Sequence, residues 1–361
     1  MKHRILPAVR AGRMTFVCAT VLLLLPCASL RSQDKPPIKV ETTMVTVDAT
    51  VRDTHGQIVP NLTKDDFVLD EDGRPQTISY FAREKDLPLT MGLLVDTSLS
   101  QRDALPQERS ASYTFLDRAM RPDTDKAFLI HFDREVELLQ DLTASREKLK
   151  SGIDSLETSD RARSDDDDRE HHRGGTLLYD AVYLASNELM QKQQGRKALI
   201  VLSDGVDRGS KESLEDAIES AQRANTVVYA IYFKGEEPKS DYGGHGGHGG
   251  WGGGHGGGGG GGPWGGGQGG GHHRPPEEQR PDGKKILERI AKETGGHFFE
   301  VAKKQTPDEI YSQIEQELRN QYILGYTPVK ADDAAYYRKI HLVTKQKDLS
   351  VQARDGYYAA S

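Results

Sequence analysis

The sequence predicts an α/β fold: a doubly wound, mostly parallel central sheet flanked by helices, with a small antiparallel β module built from the N- and C-terminal flanks. Three observations lead there. Short apolar runs, Thr90–Val95 and Lys197–Leu202, end abruptly in Asp96 and in Ser203-Asp204, as strands buried on both faces of a parallel sheet do. Helical periodicities lie between those runs, so strands and helices alternate. Outside the alternation, residues 33–86 and 329–361 carry short β patterns instead.

Residues 1–32 stand apart from the fold. Lys2, Arg4, Arg10 and Arg13 form a basic start, Met14 to Leu25 an apolar run, and small residues follow around Cys27-Ala28-Ser29 and Arg31-Ser32. That is a signal-peptide pattern. The apolar run falls short of the roughly 20 residues of a spanning helix. Pro26 occupies the place where lipidation at Cys27 wants a small residue, which points to ordinary cleavage. The expected mature chain is exported, to the periplasm, the envelope or the medium, without a stable transmembrane span. Cys18 and Cys27, the two cysteines, both fall inside this segment, so no disulfide or thiolate site is expected afterwards. Removing it leaves 43 basic against 55 acidic residues, a net charge of −12. Such a balance argues against nucleic acid as a partner.

In the N-terminal β unit, residues 33–86, Val45, Val47 and Val51 interleave with Thr46, Asp48 and Thr50. Turns are expected at Asp53-Thr54-His55-Gly56 and Glu71-Asp72-Gly73-Arg74-Pro75, with strands at Phe67–Leu69 and Thr77–Phe81. So few strands leave an apolar face that needs a partner.

The α/β domain is expected over residues 87–328. A helix over Pro106–Met120 carries Ala111, Phe115 and Ala119 on one face. Lys126–Phe132 and Glu135–Leu139 form a hairpin, and a helix follows over Arg146–Leu156. The helix after Thr176 is expected to bury Leu177, Ala181, Leu184 and Ala185 and to stop at Gly195. A helix over Ser213–Arg223 and a strand over Thr226–Phe233 come next. Thr306-Pro307-Asp308-Glu309 is a capping box with proline at the first helical position. It opens a helix with Ile310, Ile314 and Leu318 on one face.

Two insertions interrupt this domain. Residues 160–173 include Ser164-Asp165-Asp166-Asp167-Asp168, read as a solvated acidic segment. Residues 243–273 are almost all glycine, with His245, His248, His255, His272 and His273, and read as a flexible tract. Those imidazoles suit weak capture of Zn²⁺ or Ni²⁺, because nothing fixes their geometry. Beyond Pro328, strands at Tyr336–Thr344 and Leu349–Ala353 are expected to pair with residues 33–86.

The chemistry gathers in three fragments: Asp96-Thr97-Ser98-Leu99-Ser100, Gly174-Gly175-Thr176 and Ser203-Asp204-Gly205. Each follows or opens a buried element, and together they present only oxygen donors, which hard cations prefer. D-x-S-x-S alone is also an ordinary helix cap, since Asp and Ser are favoured there. The three pieces in this order resemble the von Willebrand factor type A domain and its metal-ion-dependent adhesion site. Leu62–Phe67, Tyr322–Tyr326 and Asp355–Tyr358 further resemble the bacterial von Willebrand factor A-related family first catalogued in acidobacteria. The resemblance implies a site of Asp96, Ser98, Ser100, Thr176 and Asp204. The serines and the threonine would bind Mg²⁺, or Mn²⁺ or Ca²⁺, and the aspartates act directly or through water. It also implies a protein ligand that offers an Asp or Glu carboxylate to the metal.

No enzyme is expected. The G-x-S-x-G elbow and the G-x-x-x-x-G-K-[ST] loop are both missing. His131 lies in an apolar strand, where a structural role is the commoner one. Two other functions remain open at this level: a metal-dependent hydrolase or an accessory subunit of one, and an envelope scaffold whose metal only stabilises the fold.

Overall fold

The computed structural model describes residues 44–83, 87–158, 175–235, 282–302, 305–328 and 337–359. The expected signal peptide (1–32), acidic insertion (160–173) and Gly/His tract (243–273) lie outside the described residues.

The chain begins with four strands: β1 (Val45–Arg52), β2 (Phe67–Glu71), β3 (Arg74–Pro75) and β4 (Ile78–Arg83). The turn before β3 places Asp72 and Gly73 in the left-handed region, at φ 50° and 74°. Next come β5 (Leu89–Asp96), α1 (Leu105–Ala119), β6 (Lys126–Phe132), β7 (Val136–Thr143) and α2 (Arg146–Asp154). They are followed by α3 (Leu178–Leu184), β8 (Arg196–Ser203), α4 (Leu214–Arg223) and β9 (Val227–Tyr232). After the undescribed gap the chain continues with α5 (Gly283–Thr294), β10 (Phe298–Glu300) and α6 (Pro307–Asn320). The chain closes with β11 (Tyr322–Tyr326), β12 (Tyr337–Thr344), β13 (Ser350–Ala353) and β14 (Gly356–Tyr358).

The central sheet runs β10-β9-β8-β5-β6-β7, parallel throughout except for β7, which pairs antiparallel at the edge. All eight residues of β5 are buried, as a strand covered on both faces requires. Leu93 and Val95 face one core with Phe115, Leu149, Ile310 and Ile314, so α1, α2 and α6 cover that side. Leu94 faces the other with Leu178, Ala181, Ile218 and Leu287, from α3, α4 and α5. Gly92 lets neighbouring strands close: a Cβ there would lie 2.3 Å from Phe128 and 2.5 Å from Leu199.

The flanks form two four-stranded antiparallel sheets, β13-β1-β11-β4 and β14-β12-β2-β3. N- and C-terminal strands alternate in the first and meet at the β12–β2 pair in the second, and the two sheets share one core that includes Val47, Val51, Phe67, Leu69, Leu324, Ile340 and Leu342. The antiparallel module of the expected fold class is therefore present. Its composition corrects one expected boundary. Tyr322–Tyr326, assigned from sequence to the α/β part ending at 328, pairs instead with β1 and β4. Its side chains Tyr322, Leu324 and Tyr326 fill the flank core, which is why it sits there.

Two further corrections concern helices. After Thr176 the buried stripe is Leu178, Ala181, Val182 and Ala185, whereas Leu184 is 40% exposed and Leu177 half-buried. Leu177 precedes the helix, so the stripe starts one residue later and Leu184 falls off it. Helix α5 and strand β10 add to the expected elements. Asp282 caps α5 through a bond from the Lys285 N–H, and Ile286, Leu287, Ile290 and Ala291 form its buried face. The capping box at Thr306 and Glu309 forms as expected.

Candidate metal centre

Asp96 ends β5 at the carboxyl edge of the sheet and is completely buried. The topology explains the location. The chain passes from β5 outward to β6, and later from β8 in the opposite direction to β9 and β10. Ligands of open α/β sheets bind in the crevice where the strand order reverses in this way.

Both oxygens of Asp96 are engaged. Oδ1 accepts the Ser98 N–H at 3.0 Å, and Oδ2 accepts the Ser203 hydroxyl at 2.6 Å. The first bond turns the chain so that Ser98 and Ser100 follow on one tight turn. Ser98 precedes a single 3₁₀ turn, Leu99–Gln101, yet its side chain makes no capping bond. Its Oγ lies 3.0 Å from the Ser100 Oγ instead. The helix-cap alternative therefore fails for Ser98.

Asp204 follows β8, and its Oδ1 accepts the Val206 N–H at 3.0 Å. Its Oδ2 shares a small space with Ser100: a methyl placed on Gly235 would lie 2.3 Å from Oδ2 and 3.1 Å from the Ser100 Cβ. Thr176, 7% exposed, is fastened to the loop beyond Asp204 by two backbone bonds with Arg208, at 3.1 and 2.8 Å. Side chains lock that loop further. Asp180 Oδ1 accepts the N–H groups of Lys211 and Glu212, both at 2.9 Å, and Asp207 Oδ1 accepts the Tyr179 N–H at 3.2 Å.

The structure thus gathers Asp96, Ser98, Ser100 and Asp204, while Thr176 is tied by the Arg208 backbone to the loop that follows Asp204. Ser203, Asp180, Asp207 and Gly235 escaped the sequence reading. Ser203 carried a faint signal, a hydroxyl at the end of an otherwise apolar strand. The others depend on which loops meet, and no local pattern encodes that.

Burial raises the Asp96 carboxyl to about 7, and the nearby Asp204 charge adds to the rise against bonds from Ser203 and Ser98. Two carboxylates crowded in a buried, oxygen-rich spot repel each other, and a cation relieves that repulsion. The donor set fits a hard divalent ion, with two carboxylates and three hydroxyls. Among the described residues no group of three or more His, Cys, Asp or Glu is placed to hold a metal. Any ion here therefore relies on the hydroxyls. His131, the other candidate for chemistry, is half-buried between Thr97 Oγ1 at 3.1 Å and Glu137 Oε2 at 3.2 Å.

Residues 91–206 match the family model of the von Willebrand factor type A domain. This part of the chain is a von Willebrand factor type A domain. The matched segment starts inside β5 and ends beyond Asp204, so it holds all five candidate residues. Solved structures similar to the chain include an aerotolerance-related membrane protein from Bacteroides fragilis, at 16% identity and a TM-score of 0.41 over 64% of this chain and 98% of that one. BatB from Bacteroides thetaiotaomicron is 17% identical, with a TM-score of 0.41 over 64% and 97%. Proximal thread matrix protein 1 of the mussel byssus, with zinc in its metal-ion-dependent adhesion site, is 15% identical, with a TM-score of 0.41 over 70% and 50%. No curated protein matches the chain. Among the described residues no helix is long and apolar enough to cross a membrane.

Proposed function

We propose that this is an exported protein-binding module whose von Willebrand factor type A domain captures a partner's Asp or Glu carboxylate through a divalent cation. Domains of this family commonly bind a divalent metal and mediate contacts between proteins. One observation carries the reading: Asp96, Ser98, Ser100 and Asp204 converge at the reversal of strand order, with the hydroxyl of Ser98 directed at Ser100 rather than at a helix end. Ser98, Ser100 and Thr176 would offer hydroxyl oxygens to the ion, and Asp96 and Asp204 carboxylates. When bound, such an ion supplies an electrophilic point of attachment for an anionic group.

The protein's own residues perform the rest. Ser203 and the Ser98 N–H hold Asp96 in one orientation, and the Val206 N–H holds Asp204. With the three hydroxyls bound directly and the aspartates acting through water, the ion would keep most of its positive charge, which favours an anionic partner over a neutral one. With Asp96 and Asp204 engaged as ligands, metal-assisted hydrolysis would need a further base beside the activated water. Mg²⁺, Mn²⁺ or Ca²⁺ suits the donors. We assign residues 87–321 to the α/β domain, and the export signal to residues 1–32.

The test is capture by immobilised protein from an envelope extract, in Mg²⁺ and then in EDTA, beside Asp96→Ala. Proteins retained by the native chain in Mg²⁺ should be lost in both other arms. Identical retention in all three would overturn the reading. Turnover of generic ester, phosphate or peptide substrates with Mg²⁺ or Mn²⁺ would favour a hydrolase instead.

A further inference from the structure

Gly235 stands in the loop leaving β9, and the reason for a glycine there is unusual. Its backbone does not lie in the left-handed region, so no torsional demand calls for glycine. What excludes a side chain is the candidate metal centre itself. A Cβ on Gly235 would meet Asp204 Oδ2 at 2.3 Å, Ser100 Cβ at 3.1 Å and Asp204 Cγ at 3.2 Å. Among the described glycines it alone meets a candidate ligand's side chain first. Gly205 and Gly283 are crowded by backbone, and Gly92 by Phe128 and Leu199.

Real Cβ atoms do not approach another heavy atom at 2.3 Å, so something would have to move. Backbone obstacles are costly to shift, whereas a carboxylate can turn about its own bonds. Among the described residues the carboxylate of Asp204 is anchored at one oxygen, Oδ1, by the Val206 N–H. An added methyl would therefore turn Oδ2 away from Ser100 and leave the surrounding strands in place.

From this we infer that Gly235 is a positioning residue of the metal centre: its bare backbone forms the wall that aims Asp204 Oδ2 at the space shared with Ser100. This rests on the metal-site reading above and adds a residue from outside the three motif fragments and beyond the 91–206 match. Any side chain at 235 is incompatible with that aim. The loop after β9 thereby becomes part of the site, alongside the loops after β5 and β8.

The test uses the full chain with Gly235→Ala, read by Mg²⁺ and Mn²⁺ titration of the melting temperature and by calorimetry. Second-sphere changes commonly cost about 10–100-fold in metal affinity, and a loss in that range is expected here. The metal-free melting temperature and far-UV spectrum should change little. A native-like metal response in Gly235→Ala would overturn the inference. No metal response in the native chain would instead remove the reading beneath it. A double-mutant cycle with Asp204→Ala covers poor folding and needs no metal. Removing the carboxylate should erase whatever stability Gly235→Ala loses, and an equal loss in both backgrounds would sink the proposed contact.

Discussion

The Ser203 hydroxyl donates to Asp96 Oδ2 at 2.6 Å, and the Ser203 Oγ itself accepts the Gly205 N–H at 2.9 Å. One buried hydroxyl thus ties the end of β5 to the turn that follows β8, across neighbouring parallel strands. With Ser203 replaced by alanine, a buried carboxylate oxygen and a backbone N–H both lose their partner. Leaving a buried polar group unsatisfied costs about 1–3 kcal/mol. Ser203→Ala should therefore lower stability by about that much in urea unfolding. It should also weaken the Mg²⁺ response, because Asp96 is then free to turn. Full retention of both would show that the bond is incidental.

A ligand that binds only the folded state stabilises it by mass action, so Mg²⁺ or Mn²⁺ should raise the melting temperature. The hydroxyl oxygens of Ser98 and Ser100 lie 3.0 Å apart, whereas the Thr97 hydroxyl between Asp96 and Ser98 is taken up by His131. Ser98→Ala with Ser100→Ala should abolish the shift and leave the far-UV spectrum unchanged. The titration must reach millimolar metal, since no partner carboxylate completes the coordination. An unchanged shift in the double variant would remove the adhesion-site reading.

The strands of the site were legible because burial on both faces writes an uninterrupted apolar run. β5 and β8 lie within a residue or two of the expected limits. The five candidate ligands were legible for a related reason: each lies within a few residues of a strand end or helix start. Partnerships across the fold were not. Ser203 facing Asp96, Asp180 holding Lys211 and Glu212, and Gly235 against Asp204 arise from the relative placement of separate loops. Helix α5 was hidden by context, since its Asp282-Gly283 start directly follows a tract rich in glycine, proline and charge. Leu184 shows the limit of periodicity: it sits one residue before Ala185, yet about 100° of helical rotation puts it outside the buried stripe.

The Gly/His tract, residues 243–273, should be dispensable for both the fold and the Mg²⁺ response. Its described neighbours Gly235 and Gly283 both abut Asp204, one at the carboxylate and one at the carbonyl. A short Gly-Ser linker replacing only 243–273 keeps those two approaches. Loop closure changes by only about 0.6 kcal/mol per doubling of length, so stability should shift little. Any Zn²⁺ or Ni²⁺ uptake by His245, His248, His255, His272 and His273 should vanish while the Mg²⁺ shift persists. Unfolding of the deletion variant would show that the tract packs on the fold.

Glu71 joins four strands of the flank module. Its Oε1 accepts the Arg338 guanidinium at 2.6 Å, and its Oε2 accepts the hydroxyls of Tyr326 and Tyr357. Glu71 is 3% exposed and Arg338 9%, so removing the carboxylate strands a buried cation. Breaking a buried pair in this way costs about 3–5 kcal/mol. Glu71→Ala should lose that much, against less than about 1 kcal/mol for Glu188→Ala, whose partner Lys192 is exposed. Equal effects would deny the network a structural role.

Truncation tests how far the two flanks depend on each other. Cutting after Pro328 removes β12, β13 and β14 together. β2 then loses the whole of its register with β12, from Phe67 opposite Thr344 to Glu71 opposite Ile340. Only the two-residue β3 remains beside it, and two strands are marginal alone. β1 keeps β11 along Val45–Ala49 but loses β13 along Ala49–Arg52. The loss should therefore be graded. Backbone amides of residues 67–71 should exchange fastest, those of 50–52 next, and those of 45–48 should retain part of their protection. The amides of Leu93, Leu94 and Val95, deep in the other sheet, should stay protected throughout. Hydrogen exchange of the truncated chain measures all four sets in one experiment. Persistent protection of residues 67–71 would mean that β2 holds its place without the C-terminal flank, and the flanks would then be independent units.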